Sequence, residues 1–175
     1  MFVGAYWSVR RESREEVARR LTRLLSSFAN AEPTLSEWFL KGRTKASART
    51  ALEIDVAAIA SKLKVNRRDV GGEVISELGF SLGLWNGRNA SLAVTMGAYS
   101  QHIRNSAVLS FMDAPAHFDS MDWKRLLDAF VRELDPDQAV VTTSDFLAQR
   151  GAANPWEAGW FTYFRGGSTQ EHSFK

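Results

Sequence analysis

The chain has 175 residues, of which 45% are hydrophobic and 24% charged, enough to form one domain around its own core. It contains no cysteine, which excludes disulfides, thiolate metal sites and a cysteine nucleophile. No stretch approaches the roughly 20 apolar residues of a membrane-spanning helix, and the N-terminus lacks the pattern of a secretory leader. We therefore expect a cytoplasmic protein.

The net charge of +2 conceals an uneven distribution along the chain. Residues 1–70 carry 14 Lys and Arg against 8 Asp and Glu, whereas residues 71–175 carry 8 against 12. A basic N-terminal half could bind nucleic acid, and this is our alternative function. However, acidic residues are interleaved at spacings typical of ion pairs along a helix surface, so a solvated helix face is the preferred interpretation.

The N-terminal third predicts one strand followed by three helices. Residues 2–9 alternate with period two and are apolar on both faces, which favours an interior strand. Ser13 and Glu16 form a capping-box pattern before apolar residues at helical spacing. Thr34 and Glu37 repeat that pattern and predict a short helix ending at Gly42. A basic loop follows at residues 41–50, and Asp55 then predicts the N-cap of a third helix.

Residues 77–100 form the centre of the predicted fold. Two runs of alternating apolar residues flank Asn86-Gly87, a pair typical of a type I′ turn, so we predict a β-hairpin. One face of this hairpin carries Leu, Phe, Val and Met. The other carries mostly Gly, Ala, Ser and Thr. We expect another layer of the fold to pack closely on this small-residue face, with a docked partner as the alternative.

The C-terminal part predicts a third meander strand, a strong amphipathic helix from Trp123 to Leu134, and two more strands. This order of elements indicates an α+β fold, with a mostly antiparallel sheet built around the central hairpin and meander and amphipathic helices packed on one face. We predict a single domain over residues 1–165. Residues 166–175 are polar and are predicted to be a loose tail.

Catalytic motifs are absent from the sequence. His102, His117 and His172 lack the spacing of a zinc site, and no phosphate-binding loop or nucleophile elbow occurs. Asp113 and His117 lie four residues apart and could share a metal or a proton. A turn carboxylate beside a surface imidazole is the preferred interpretation of that pair. We therefore predict no enzyme, no cofactor and no metal, and keep an enzyme built on this pair as a third alternative.

Several segments resemble the immunity protein 52 family of bacterial polymorphic toxin systems. In chain order they are VGAYWSVRRES, NRRDV with ELGFSLGLWNG, GAYS before NSAVL, and PWEAGWFTYF. The resemblance implies a non-enzymatic cytoplasmic protein that binds and neutralises a cognate toxin, protecting the producer and its sister cells. In this family the toxin is usually a nuclease with a restriction-endonuclease-like fold, delivered by contact-dependent systems such as type VI secretion. It also implies residues beyond the GWFTYF strand, where this chain has only a polar tail.

A toxin-binding surface is predicted at one loop end of the central hairpin, because loops on a rigid sheet can present specific side chains. Its candidate residues are Trp85, Arg88, Tyr99, His102 and Arg104. Since a net charge of +2 does not suit an inhibitor that imitates DNA, we expect binding away from the toxin's catalytic centre. A local acidic plug from residues 113–137, including Asp119 and Asp122, is the alternative.

Overall fold

A computed structural model describes residues 1–41, 50–66, 75–112, 121–150, 159–167 and 170–171. Most of the predicted basic loop lies outside these ranges, as do Asp113, His117 and Asp119. The helices are α1 Arg14–Ala31, α2 Val56–Lys62, α3 Trp123–Leu134 and α4 Ser144–Arg150. The strands are β1 Phe2–Trp7, β2 Phe39–Leu40, β3 Lys64–Val65, β4 Phe80–Trp85, β5 Ala90–Met96, β6 Asn105–Phe111, β7 Gln138–Thr142, β8 Phe161–Phe164 and β9 Gln170–Glu171.

All these strands belong to one antiparallel sheet, which confirms the predicted α+β class. The strand order is β2-β4-β5-β6-β1-β7-β8-β9, and β3 also pairs with β4. As its apolar faces predicted, β1 lies inside the sheet, between β6 and β7. Two short strands share the outer edge of β4, because β2 pairs with Leu84 and Trp85 whereas β3 pairs with Phe80 and Ser81.

Helices α1 and α3 pack side by side on one face of the sheet. The predicted capping box is present: Ser13 Oγ accepts from the backbone N–H of Glu16, and Glu16 Oε2 accepts from that of Ser13. The apolar stripe of α1 is buried, and its Phe28 contacts Phe130 of α3 at 5.1 Å between ring centres. The residues of this core that come from the sheet include Val3, Trp7, Leu84, Leu92 and Leu109.

Two local predictions are wrong. Thr34 and Glu37 do not begin a helix: Glu32 instead caps a single 3-10 turn at Pro33–Leu35, and the chain then extends into β2.

The hairpin is confirmed, but a four-residue loop at 86–89 replaces the type I′ turn, and only Gly87 of the Asn-Gly pair has positive φ, at 74°. The Asn86 side chain accounts for this, since Oδ1 accepts from the backbone N–H groups of Arg88 and Ala90.

The C-terminal residues add a further strand. Gln170–Glu171 pair with β8, so this part of the predicted loose tail forms β9 and extends the sheet. Residues 168–169 and 172–175 lie outside the described ranges.

A buried asparagine fixes the connection between β5 and β6. The side chain of Asn105 is fully buried. Its Oδ1 accepts from the N–H of Ala98 at 2.8 Å, and its Nδ2 donates to the carbonyl oxygens of Ala98 at 2.9 Å and Ser8 at 2.8 Å. These bonds join the segment after β5 to the end of β1 and give the backbone N–H of the buried Ala98 an acceptor.

We expect Asn105→Ala to lower the free energy of unfolding by about 2–4 kcal/mol, because it removes a buried polar side chain and leaves the backbone N–H of the buried Ala98 without its acceptor. Urea denaturation followed by circular dichroism measures the change. Asn89→Ala is the matched control, since Asn89 is half-buried in the hairpin loop and its side chain has no hydrogen bond to another described residue. Equal losses for the two variants would contradict this role for Asn105.

Candidate functional site

The small-residue face of the sheet is open in the described part of the chain. The strand register places Gly83 beside Ala93, and Ala93 beside Val108, on the face opposite α1 and α3. Ala93 is exposed, and its neighbours on this face are half-buried. A groove of about 830 Å³ lies over these residues. The prediction that another layer packs closely here is therefore wrong for the described residues.

The walls of this groove come from the short elements at the edge of β4. Lys41 and Thr50, which flank the undescribed residues 42–49, line it beside β2, whereas Ser61, Lys62 and Lys64 line it where α2 leads into β3. The floor includes Ser81, Gly83, Ala93, Thr95, Ser106 and Val108. We call this feature the edge groove. It is concave and shallow-floored, so a polypeptide backbone could approach the sheet closely.

The predicted toxin-binding residues lie at two opposite ends of the sheet. Trp85 and Arg88 adjoin the loop before β5, whereas Tyr99, His102 and Arg104 follow it. A seven-residue strand spans about 20 Å, so the two groups cannot form one small patch. The prediction that they share one loop end is wrong, because each strand of an antiparallel hairpin carries the chain from one end of the sheet to the other. Whether either group contacts a partner stays a prediction.

At the hairpin end, Trp85 lies on the same face as the edge groove. Its ring is half-buried and contacts Phe39 at 5.8 Å between ring centres. Arg88 is exposed on the loop. Asp122 lies at this end too, because Trp123 stacks edge-to-face on Phe111, the cross-strand partner of Ala90. The Asp122 side chain caps α3 by accepting from the N–H of Arg125 at 2.9 Å.

Sequence reasoning missed one exposed apolar side chain at this end. Met112 is 78% exposed, and its backbone N–H donates to the carbonyl oxygen of Asn89 in the hairpin loop at 2.9 Å. The available signal was the alternation along β6, which buries Asn105, Ala107, Leu109 and Phe111 and leaves the next position outside the core. We call Trp85, Arg88 and Met112 the hairpin patch; Asp122 begins α3, which packs on the opposite face of the sheet.

At the opposite end, Tyr99 has structural contacts inside the chain. The guanidinium of Arg11 lies over its ring at 5.1 Å, and its hydroxyl is 2.9 Å from that of Ser76. His102 and Arg104 are exposed in the connection to β6. We call Tyr99, His102 and Arg104 the far-end patch.

Most of the described arginines of the basic N-terminal half, which lie between positions 10 and 23, are engaged within the fold. Arg10 donates to the carbonyl oxygen of Leu134 at the end of α3, and Arg14 donates to those of Ala60 and Leu63 at the end of α2. Arg20 Nε lies 2.6 Å from Glu12 Oε1. These partners are not the neighbours along α1 that the charge spacing predicted, because α1 packs against two other helices. Such contacts leave fewer of these guanidinium donors for nucleic acid.

Glu133 links α3 to α1 electrostatically. Its carboxylate accepts from Arg23 Nε at 3.2 Å and from the Ser27 hydroxyl at 3.1 Å, and it is also 2.8 Å from Arg132 Nε. Burial acts to raise the pKa of Glu133, but the hydrogen bonds from Arg132 and Ser27 and the charge of Arg132 outweigh burial. The pKa of this carboxyl is therefore held below its ordinary value.

No metal centre is present among the described residues, where no three His, Asp or Glu side chains are placed to hold an ion. Asp113 and His117, the candidate pair from the sequence, lie outside those ranges, as does Asp119. No helix in the described ranges is long and apolar enough to cross a membrane.

Comparison with known proteins identifies the class of protein that this sheet and its helices form. The immunity protein 52 family matches residues 1–170, essentially the whole chain. The chain therefore belongs to the immunity protein 52 family. No curated protein matches it in sequence. Among solved structures, the Pseudomonas aeruginosa T6SS protein PA0821 has 14% identity and a TM-score of 0.47, and the match covers 79% of this chain and 38% of that one.

We expect Glu133→Gln to lower the free energy of unfolding by about 1–2 kcal/mol at neutral pH, because charge-assisted bonds between α1 and α3 are weakened. Since the folded-state pKa is depressed, this stabilisation is present above the unfolded pKa and is lost as pH falls through the folded one. Urea titrations at about pH 7 and pH 3 should show the difference from wild type shrinking in acid. Asp128→Asn, an exposed acid on the same helix, is the control, and a pH-independent difference would contradict the assignment.

Proposed function

We propose that this chain neutralises a cognate secreted nuclease toxin by binding it in the cytoplasm, which protects the producer cell and its siblings. Membership of the immunity protein 52 family over residues 1–170 carries this proposal. The restriction-endonuclease-like fold of the toxin and its delivery by type VI secretion are parts of the proposal that follow from the family resemblance. The neutralisation itself requires only a protein surface, without catalysis or a cofactor.

Several acidic residues form ion pairs within this chain, and this supports inhibition without imitation of DNA. An inhibitor that replaces DNA phosphates must present many unpaired carboxylates to a basic site. Here Glu12 and Glu133 are close to arginines of α1, and Arg165 is 3.2 Å from Asp135 and 3.3 Å from Asp137. We therefore propose that the protein binds away from the toxin's catalytic centre, where it blocks substrate entry or assembly of the active toxin.

The hairpin patch is our proposed contact with the toxin. It combines an aromatic ring, an exposed thioether and an exposed arginine within one end of the sheet, and these side-chain types are common binding hot spots or interface residues. The far-end patch is the second candidate surface. Its tyrosine is already occupied by Arg11 and Ser76, which makes it the less favourable of the two.

The first test is co-purification with the nuclease domain encoded beside this chain, followed by DNA degradation assays with and without an equimolar amount of the immunity protein. We expect a stable complex in which DNA cleavage is suppressed. A catalytically inactive toxin variant allows the complex to be produced safely. Absence of a complex, or a complex that cleaves DNA at the rate of the free toxin, would contradict the proposed function.

The two patches are separated by paired substitutions. We expect Trp85→Ala with Arg88→Ala to weaken toxin binding by more than about 2 kcal/mol, whereas Tyr99→Ala with Arg104→Ala should cost less than about 1 kcal/mol. Titration calorimetry measures affinity, and circular dichroism confirms that each variant is folded. The reverse ranking would assign binding to the far end. A large loss for Asp119→Lys with Asp122→Lys would instead favour the acidic plug.

A further inference from the structure

We propose that the edge groove binds an acidic segment of the toxin. The groove and the hairpin patch together would then form one continuous contact surface. This inference rests on the proposed function and adds to it the chemistry of the bound segment. Trp85 connects the two surfaces, because it follows Gly83 at the next same-face position of β4 and pairs with Ser91 of β5. A partner that contacts Trp85 can therefore extend along the sheet into the groove.

The charged side chains among the described residues that line the groove are all basic. Lys41, Lys62 and Lys64 line it, and no Asp or Glu is among its described lining residues. These are three of the six lysines in the chain. All three are exposed, and none is in an ion pair with another described residue. This contrasts with the arginines of α1, several of which bind carbonyl or carboxylate oxygens of the same chain.

The shape of the groove suits a polypeptide chain. Its floor is made by short side chains on neighbouring strands, and the Lys41 stem lies beside Gly83, 3.5 Å from the position that a Cβ atom would occupy there. Hydroxyl groups of Thr50 and Ser81 also line the groove, whereas that of Ser61 already donates to the carbonyl oxygen of Ala58. Carboxylates of a bound segment could thus meet lysines at the rim while its backbone lies over the low floor.

A nucleic acid fits these residues less well. Single-stranded nucleic acid is bound largely by stacking of bases on aromatic rings, and duplexes are bound through rows of phosphate contacts. No aromatic side chain is among the described residues that line the groove. Three lysines around a concave floor of Gly, Ala, Ser and Thr favour a short acidic peptide segment instead.

Protection of the sheet edge is the competing explanation for two of these lysines. Lys64 belongs to the edge strand β3 and Lys41 directly follows β2, and edge lysines prevent sheets from associating with one another. Either sign of charge provides that protection, whereas only a positive charge attracts an acidic segment. Reversal of the charge therefore separates the two roles.

The test is the triple variant Lys41→Glu, Lys62→Glu and Lys64→Glu, measured against the toxin domain encoded beside this chain. We expect the variant to remain folded and monodisperse and its Kd to rise about 100-fold, with a weaker dependence of affinity on salt. The matched control is Arg19→Glu, Lys124→Glu and Arg125→Glu, which changes the net charge equally on exposed helix positions. We expect the control to change the Kd less than about 5-fold.

Zero-length carbodiimide crosslinking of the wild-type complex identifies the chemistry directly, because it joins lysine amines to carboxylates that they touch. We expect toxin Asp or Glu residues linked to Lys41, Lys62 or Lys64. Crosslinks only to Lys124 would contradict binding of an acidic segment in the groove, and so would equal affinities for the triple variant and its control. Neither result would contradict toxin binding itself. A wild-type chain that does not bind the toxin would overturn the proposed function as well. If the wild-type chain binds DNA or RNA and the triple variant does not, the ligand of the groove is a nucleic acid and not an acidic peptide.

Discussion

Backbone pairing along both edges of β1 is the constraint on which the rest of this fold depends. β6 and β7 pair with its two sides, so the central meander and the C-terminal strands share one sheet. Both faces of β1 are covered: Val3 and Trp7 lie in the core beneath the helices, and Tyr6 covers Gly4 on the other side, where a Cβ atom would lie only 2.7 Å from the tyrosine hydroxyl. That burial raises the pKa of Tyr6 to about 12. Towards β4 the same face has no such cover in the described residues, and the edge groove lies there.

The two kinds of basic side chain have different roles in this architecture. Arginines hold the helices in place: Arg10 and Arg14 donate to the carbonyl oxygens at the ends of α3 and α2, where several backbone acceptors lack partners within their own helix. A planar guanidinium with several fixed donors suits that task. Lysines at the edge groove keep their charge in water, where a partner can reach it. The protein therefore has two groups of basic side chains, arginines that hold the fold together and lysines exposed at the edge groove. Only the second group is readily available to a binding partner, although the net charge counts both.

The sequence predicted those features of the fold that local physical chemistry determines. The capping box at Ser13, the N-cap at Asp55 and the period-two runs around residue 86 all correspond to the observed elements, because each depends on neighbours within a few residues. The helix predicted after Thr34 failed because pairing of β2 with β4, a distant interaction, outweighs the local pattern. The site was harder to predict. Placing Trp85 and Tyr99 together ignored the strand between them, and the lysines of the groove come from segments that only the folded sheet brings close.

The position of β1 in the sheet also determines when the sheet can form during synthesis of the chain. Phe2 is synthesised well before Ser110 and Thr142, the two residues with which it pairs. Closing loops of that length costs entropy before any pairing is gained, and sheets with such distant partners fold slowly. β1 therefore remains without its two partner strands until β6 and β7 have been synthesised. The supply of folded protein therefore depends on how fast newly made chains fold as well as on how fast they are synthesised.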